Sequence, residues 1–402
     1  MLSTSSLNNF PLLTGYRRTM KIDRSLLPSF CREGTGKWSA VVLLLSLLFL
    51  SGCLGAKGAV KGDSVTDGEK YRIAVFPFEN LSGTPVPIKE IRKSFINRLE
   101  AKGFEILDDG ILEKFMAKYR IRDTGGIDWA TAQAFKKELG VEGVLITAVE
   151  LYSEVIPPKI AMTSRLVSTG DKVVILWMDG VGVSGDDSPG ILGLGLIEDP
   201  IKLLDNALDF LSGSLAQSVS TKKEIVRAKH AEKKFKPKIV YRSPLMEEDP
   251  KYTVAVIPFF NESMRKNAAE IVVLHFVREL TKLGNFNVLE LGVVKQRLLN
   301  ARVIMLEGIS LTDADLVLNS LDADLVLTGR VMDYQDYQGS LGKPIVDVSV
   351  TAIERKSRKV VWNSYSHNEG DDGVFFFDWG RVNTAHRMMA KMARAIGKMM
   401  IK

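Results

Sequence analysis

Cysteine is nearly absent: Cys31 and Cys53 are the only two among 402 residues. A chain so poor in thiol cannot rest on a disulfide framework, so its stability must come from hydrophobic cores. Long apolar runs are missing too. The longest, Ala40 to Leu50, spans eleven residues and includes Ser46, whereas a helix that crosses a bilayer takes about 17–25. Histidine is scarce. His230, His275, His367 and His386 are the only four, and none lies three or four residues from another. A transition-metal site is therefore not expected. No serine nucleophile motif or carboxylate dyad stands out, so catalysis is not expected either. A Gly-x-Gly-x-x-Gly occurs at Gly180, Gly182 and Gly185. A phosphate cradle needs that pattern between a strand and a helix N-terminus. Here "DDSPGILGLG" separates it from the next helical pattern, so it reads as a loop and no cofactor is expected. A strong charge imbalance is lacking as well. Residues 1–52 hold six Lys/Arg and two acids, a net of +4, which leaves +2 of the chain's +6 for the remainder. That is not a nucleic-acid-binding balance.

What is present begins with the short apolar run itself. Lys21, Arg24, Arg32 and Lys37 precede it, and "LSGC" (50–53) ends it. A basic flank followed by a short apolar core describes a signal peptide over 1–52, with Met20 as an alternative start. The closing Leu-Ser-Gly-Cys resembles the bacterial lipobox. That resemblance implies a lipoprotein in which the Cys53 thiol takes a diacylglyceryl group, the signal is cut before Cys53, and the new amine is acylated, as with palmitate. Three acyl chains anchor stably where one binds marginally. Cys31 is then discarded with the signal. Residues 53–70 read as the lipidated cysteine and a flexible polar tether that spans roughly 23 Å.

The folded part is written twice. "AVFPFEN" at 74–80 returns as "AVIPFFN" at 255–261, an offset of 181. In the helix that follows, Ile91, Phe95, Ile96 and Leu99 match Val272, Phe276, Val277 and Leu280 at the same offset. "FEIL" at 104–107 answers to "FNVL" at 286–289, and "GDD" at 185–187 to "GDD" at 370–372. An internal duplication follows. Each copy reads as β-α-β-α-α-β-β-β-α. Apolar β-rich runs end at proline, and stripes at three and four mark helices. Asp128 and Ser310 stand at N-cap positions, the latter with Asp313. The hairpins are expected over 159–167 with 173–179, and over 345–353 with 359–365. The fold class is α/β, a mixed sheet with helices packed on it. The expected domains are 71–219 and 252–402, joined by a basic linker at 220–251.

"VAVxPFxN" after a lipid anchor, then α-β-α, an apolar strand and a hairpin ending "KVVW", resembles a superfamily of envelope proteins. It includes the curli secretion-channel lipoprotein, the penicillin-binding-protein activator lipoprotein and the N-terminal domain of the Tol-system propeller protein. The resemblance implies a non-catalytic periplasmic module that binds a protein partner or assembles, with homo-oligomers included. Leu54 after the lipidated cysteine implies, by the lipoprotein sorting rule, the outer membrane. The other reading is a subunit of a curli-type export channel, which requires extra amphipathic strands of about 9–11 residues. The 180–199 loop is the one candidate insert.

Two stretches read as candidate partner surfaces. The first is "GVFFFDWGR", with Phe375, Phe376, Phe377 and Trp379; it serves either as an interface or as a plug for the sheet. The second is the closing helix. Val382, Ala385, Met389, Met392, Ile396 and Met399 form an apolar stripe, while Arg387, Lys391, Arg394, Lys398 and Lys402 share the other side. No acid lies among them, so an uncompensated basic face is expected. It is either solvated or turned to an anionic lipid or acidic protein. His367, beside Glu369, Asp371 and Asp372, belongs either to a loosely held cation or to a polar turn.

Overall fold

The computed structural model describes residues 71–401 apart from 188–194, 221–232, 248–250, 304–307, 341 and 375–379. The first half supplies β1 (Arg72–Val75), β2 (Glu79–Asn80), α1 (Ile88–Ala101), β3 (Glu105–Ile106), α2 (Asp109–Lys118) and α3 (Trp129–Leu139). It continues with β4 (Gly143–Ser153), β5 (Lys159–Ser168), β6 (Ile175–Ser184) and α4 (Pro200–Ser220). After β7 (Ile239–Arg242), the second half gives β8 (Tyr252–Val256), β9 (Phe260–Asn261), α5 (Ala268–Leu283), β10 (Phe286–Val288), α6 (Leu291–Asn300) and α7 (Leu311–Leu321). It closes with β11 (Leu325–Gln335), β12 (Ile345–Glu354), β13 (Lys359–Glu369) and α8 (Ala385–Met400).

Two mixed sheets result. Their orders are β3-β1-β4-β5-β6, with β2 beside β4, and β10-β8-β11-β12-β13-β7, with β9 beside β11. Strand pairing is parallel up to β4 and β11 and antiparallel beyond them. The registers repeat as well: Ile73 stands opposite Gly143, and Val254 opposite Leu325. Even the irregularities recur. β4 bulges between Val149 and Leu151, and β11 between Val331 and Asp333. The helix starts follow from their caps. Asp128 accepts from the Thr131 N–H, and the Ser310 hydroxyl accepts from the Asp313 N–H while bonding the Asp313 carboxylate. Each supplies a partner for an N–H that a helix start leaves unmatched.

Burial separates the halves. α1 buries one stripe, Ile91, Phe95 and Leu99, against its own sheet. α5 is buried almost all round, from Ala268 to Leu280. The sequence accounts for the difference. At offset 181 the outward Arg92 and Lys93 of α1 become Val273 and Leu274 of α5, and a helix apolar on every side is one packed on every side. The pair α5 and α8 packs on the second sheet through Val256, Leu327, Val348 and Trp362. The same pair also reaches β6 of the first sheet, and Ala148 and Met178 of that sheet join the same core. Both halves thus belong to one compact unit, Glu69–Lys402.

Three expectations change. The second strand of each hairpin runs on to Ser184 and to Glu369. The Gly-x-Gly-x-x-Gly therefore begins within β6, not in a loop. Part of the expected linker is structured: a 3-10 turn at Lys233–Phe235 buries Phe235, and β7 adds antiparallel to β13. "IVYR" is too short and too close to charge for its alternation to register as a strand.

Candidate functional site: a buried charge network beside an open cleft

Glu150 is the extra residue of the β4 bulge, between Val149 opposite Met162 and Leu151 opposite Ala161. A bulge re-aims the side chain it carries, and this carboxylate is buried against the second half of the chain. The Thr163 hydroxyl donates to its Oε1. His386 Nδ1, from α8, lies 2.6 Å from Oε2. His275 Nε2, from α5, lies 3.3 Å away but is too poorly aligned for a hydrogen bond. The two imidazoles meet edge to face at 4.5 Å. Arg278 closes the network from behind. Its Nη1 is 3.0 Å from His386 Nε2, its Nη2 is 3.1 Å from His275 Nδ1, and its Nε donates to Glu279 Oε1 at 3.0 Å. Arg394 Nε donates to the other Glu279 oxygen at 2.7 Å.

The electrostatics follow. Burial pushes Glu150 up, but the two imidazoles beside it reverse that and hold the carboxyl well below its ordinary value. Burial drives His275 down to about 4, against the pull of Glu150. Glu279 is likewise pushed up by burial and brought below its usual range by Arg278, Arg394 and Lys282. At neutral pH the cluster holds two carboxylates, two guanidinium ions and a neutral His275.

Glu150, His275 and His386 place one ligand atom each within 4.8 Å of one another, the spacing a metal ion would need. The surrounding donors do not fit one. A neutral imidazole has one lone pair and one N–H, and a guanidinium only donates. Arg278 takes the lone pair of each ring on the side away from Glu150, which leaves an N–H on the carboxylate's side of each: His386 Nδ1 at bonding distance and His275 Nε2 out of line. A cation at the centre would meet those N–H groups. The triad is a charge clamp joining the halves.

The glycines explain how the clamp fits. A Cβ on Gly180 would fall 1.8 Å from Arg278 Nη1, and one on Gly182 2.6 Å from His386 Cδ2. β6 is bare at these positions because the buried Arg and His lie against its backbone. A second buried bridge binds the halves nearby. Arg165 of β5 meets Glu290, ahead of α6, at 2.9 and 3.1 Å and donates to the Gly125 carbonyl at 2.6 Å.

Beside the clamp opens a cleft of about 650 Å³. Its floor runs from Asp179 of β6 to Gly185 just past it, one bank is α4 with Asn206 and Phe210, and the other is formed by α5 and α8. Arg387, Lys391 and Arg394, expected on a partner surface, stand on that second bank. They are not uncompensated, as the sequence suggested. Arg394 bonds Glu279, Arg387 Nη1 is 3.7 Å from Asp187, and Lys391 Nζ sits over the Phe235 ring at 5.0 Å. The compensating acids come from other elements, so no spacing within the helix could show them. Lys398 follows in the last turn of α8. The apolar stripe from Val382 to Ile396 is buried as expected. Phe375, Phe376, Phe377, Trp379, Lys402 and Cys53 lie outside the described residues. Around His367, Lys343 takes the cation's place: its Nζ is 3.0 Å from Asp371 and also bridges Glu369.

Sequence reasoning missed Glu150, Arg278 and Arg165. The usable signal was the helix "IVVLHFVREL", whose polar residues sit among apolar ones on all sides.

No protein-family model matches the chain, and no curated protein matches it. Solved structures do. One is the PelC dodecamer from Paraburkholderia phytofirmans, at 17% identity over 39% of this chain and 96% of that one, TM-score 0.26. Another is the lipoprotein GNA1162 from Neisseria meningitidis, at 17% identity over 36% and 99%, TM-score 0.27. A third is the LpoB C-terminal domain from Escherichia coli, at 12% identity over 29% and 82%, TM-score 0.21.

Proposed function

We propose that the chain is a non-catalytic envelope lipoprotein, held to the outer membrane through Cys53, that presents its duplicated α/β unit (71–219 and 252–402) to a protein partner in the periplasm. The observation that carries the partner-binding reading is the charge order of the cleft. Its carboxylates are set back, with side-chain exposure of 15% for Asp179, 19% for Asp187 and 1% for Glu279. Its cations stand forward, at 38% for Lys282, 47% for Arg387 and 39% for Arg394. A partner arriving there meets positive charge backed by fixed negative charge. Such an arrangement steers association without costing fold stability.

Anchoring is supported by "LSGC" behind a short apolar run, with the folded unit starting soon after it. Against the export-channel reading stand the long antiparallel strands at the centre of the first sheet. β4 and β5 are buried on both faces within the fold, so they are committed to it. The test has two arms. Cys53→Ser should leave the membrane fraction or keep its signal; a processed, membrane-bound Cys53→Ser would overturn the anchor. A pull-down with the lipidated protein should recover an envelope protein that Arg387→Glu loses.

A further inference from the structure

The two sheets differ at one edge. In the second, β7 lies antiparallel along β13, with Lys238 N–H donating to the Tyr365 carbonyl and Ser243 N–H to the Val361 carbonyl, both at 2.8 Å. In the first, β6 is the last strand among the described residues. The equivalent stretch is identifiable. Trp177 pairs with Leu166 as Trp362 pairs with Ala352, each next to a one-residue bulge. The β13 segment that β7 covers, Val361–Tyr365, therefore answers to Leu176–Gly180.

The parity of the backbone is fixed too. Gly185 N–H points inward, to the Pro158 carbonyl, so Met178, Gly180, Gly182 and Ser184 turn their backbone groups outward. Two of those N–H groups are guarded. Asp179 Oδ1 accepts from Gly180 N at 2.8 Å, and Asp187 Oδ2 from Ser184 N at 3.0 Å. Side-chain carboxylates on an edge are a known device against unwanted strand pairing. Here they cap two of the four outward N–H groups, and the edge has no neighbouring strand among the described residues. Leu176 at its start is 47% exposed, and Phe210 on the bank is 51% exposed. Further along, from Asp179 to Gly185, the edge is the floor of the cleft.

We propose that this edge, from Leu176 to Ser184, takes an extended acidic peptide of a protein partner as an added antiparallel strand. Main-chain hydrogen bonds to the outward groups supply affinity, as β7 supplies them to β13, and alternate side chains supply selectivity. Acidic residues follow from the forward-standing Lys282, Arg387 and Arg394. Apolar residues between them follow from Leu176 and Phe210. The proposal rests on the partner-binding reading and is independent of the anchor.

The test uses the full lipidated chain in detergent and a pool of nine-residue fluorescent peptides with Val, Ile or Thr at alternate positions and Glu or Asp between. Micromolar binding is expected. It should fall at least tenfold when the acids become Lys, and at least tenfold when alternate backbone nitrogens are methylated. Phe210→Glu with Arg387→Glu, both on exposed side chains, should weaken it tenfold with an unchanged thermal melt. Three results would overturn the proposal: no binding to the pool, binding indifferent to backbone methylation, or a dimer of the chain that the same double variant disrupts. The last would assign the edge to a second copy. Membrane attachment, read by Cys53→Ser, stands or falls separately.

Discussion

Lowering the pH from 7 to 5 should loosen the joint between the halves through His275. The ring is buried with Glu150 of β4, His386 of α8 and Arg278 of α5 around it. Burial takes it from 6.5 to about 4. Between those values the unfolded chain binds a proton that the folded chain refuses. Stability is therefore intact above pH 6.5 and falls as pH drops toward 4, by about 1.4 kcal/mol per pH unit. At pH 5 the loss from this one residue is about 2 kcal/mol. Glu150, held below its ordinary value, loses its contribution only at lower pH, and groups outside the clamp titrate alike with or without His275, so the difference between wild type and a His275 variant isolates the imidazole. The assay is urea unfolding at pH 7 and pH 5 for the wild-type chain and for His275→Gln. The variant's pH 7 to pH 5 loss should be smaller than the wild type's by about 2 kcal/mol. Equal losses in the two proteins would refute the reasoning, whatever the baseline.

Arg165→Met leaves Glu290 buried and unpaired, at a cost of about 3–5 kcal/mol, and Arg165→Met with Glu290→Leu should recover most of it in a denaturation series. Gly182→Ala drives a methyl into His386 and should cost about 1–3 kcal/mol. Gly213→Ala, in the middle of α4 with open space around its Cβ, should instead stabilise by about 0.5–1 kcal/mol in the same thermal assay. Leu99→Ala and Leu280→Ala, both fully buried at equivalent positions, should each cost about 2–5 kcal/mol.

Much of this fold could be read before any coordinates. Repeats announce themselves by residue identity at a fixed offset, and helices by their stripes. Phe95 and Phe276 were paired on that ground and both are buried. The clamp was not legible, because its members come from β4, α5 and α8, and Glu150 and His386 are 236 residues apart. Nothing local prepares "AVELYS" for a bulge, and a histidine without a spaced partner looks inert. One comparison does carry the information. Where α1 has Ser94, Asn97 and Arg98, α5 has His275, Arg278 and Glu279. Divergence between copies marks the face on which the two halves do different work. The basic face of α8 misled for the opposite reason: its charges were visible and their partners were not.

The open face of the second sheet sets where the stacking ends. On the first sheet, β6 offers Gly180 and Gly182 to the helices of the next half. At the matching places on β13 stand Tyr365 and His367, and around them Arg330, Asp347, Ser349, Thr351 and Asn363 share the face. The contact between halves is head to tail, and a contact of that kind has no reason to stop by itself; repeated between molecules it gives a ring or a fibre. Arrays built this way need a polar terminal unit to stay soluble. The second half is that unit. Its sheet carries polar side chains where β6 carries glycines, so it lacks the bare seat that the first sheet gives to α5 and α8.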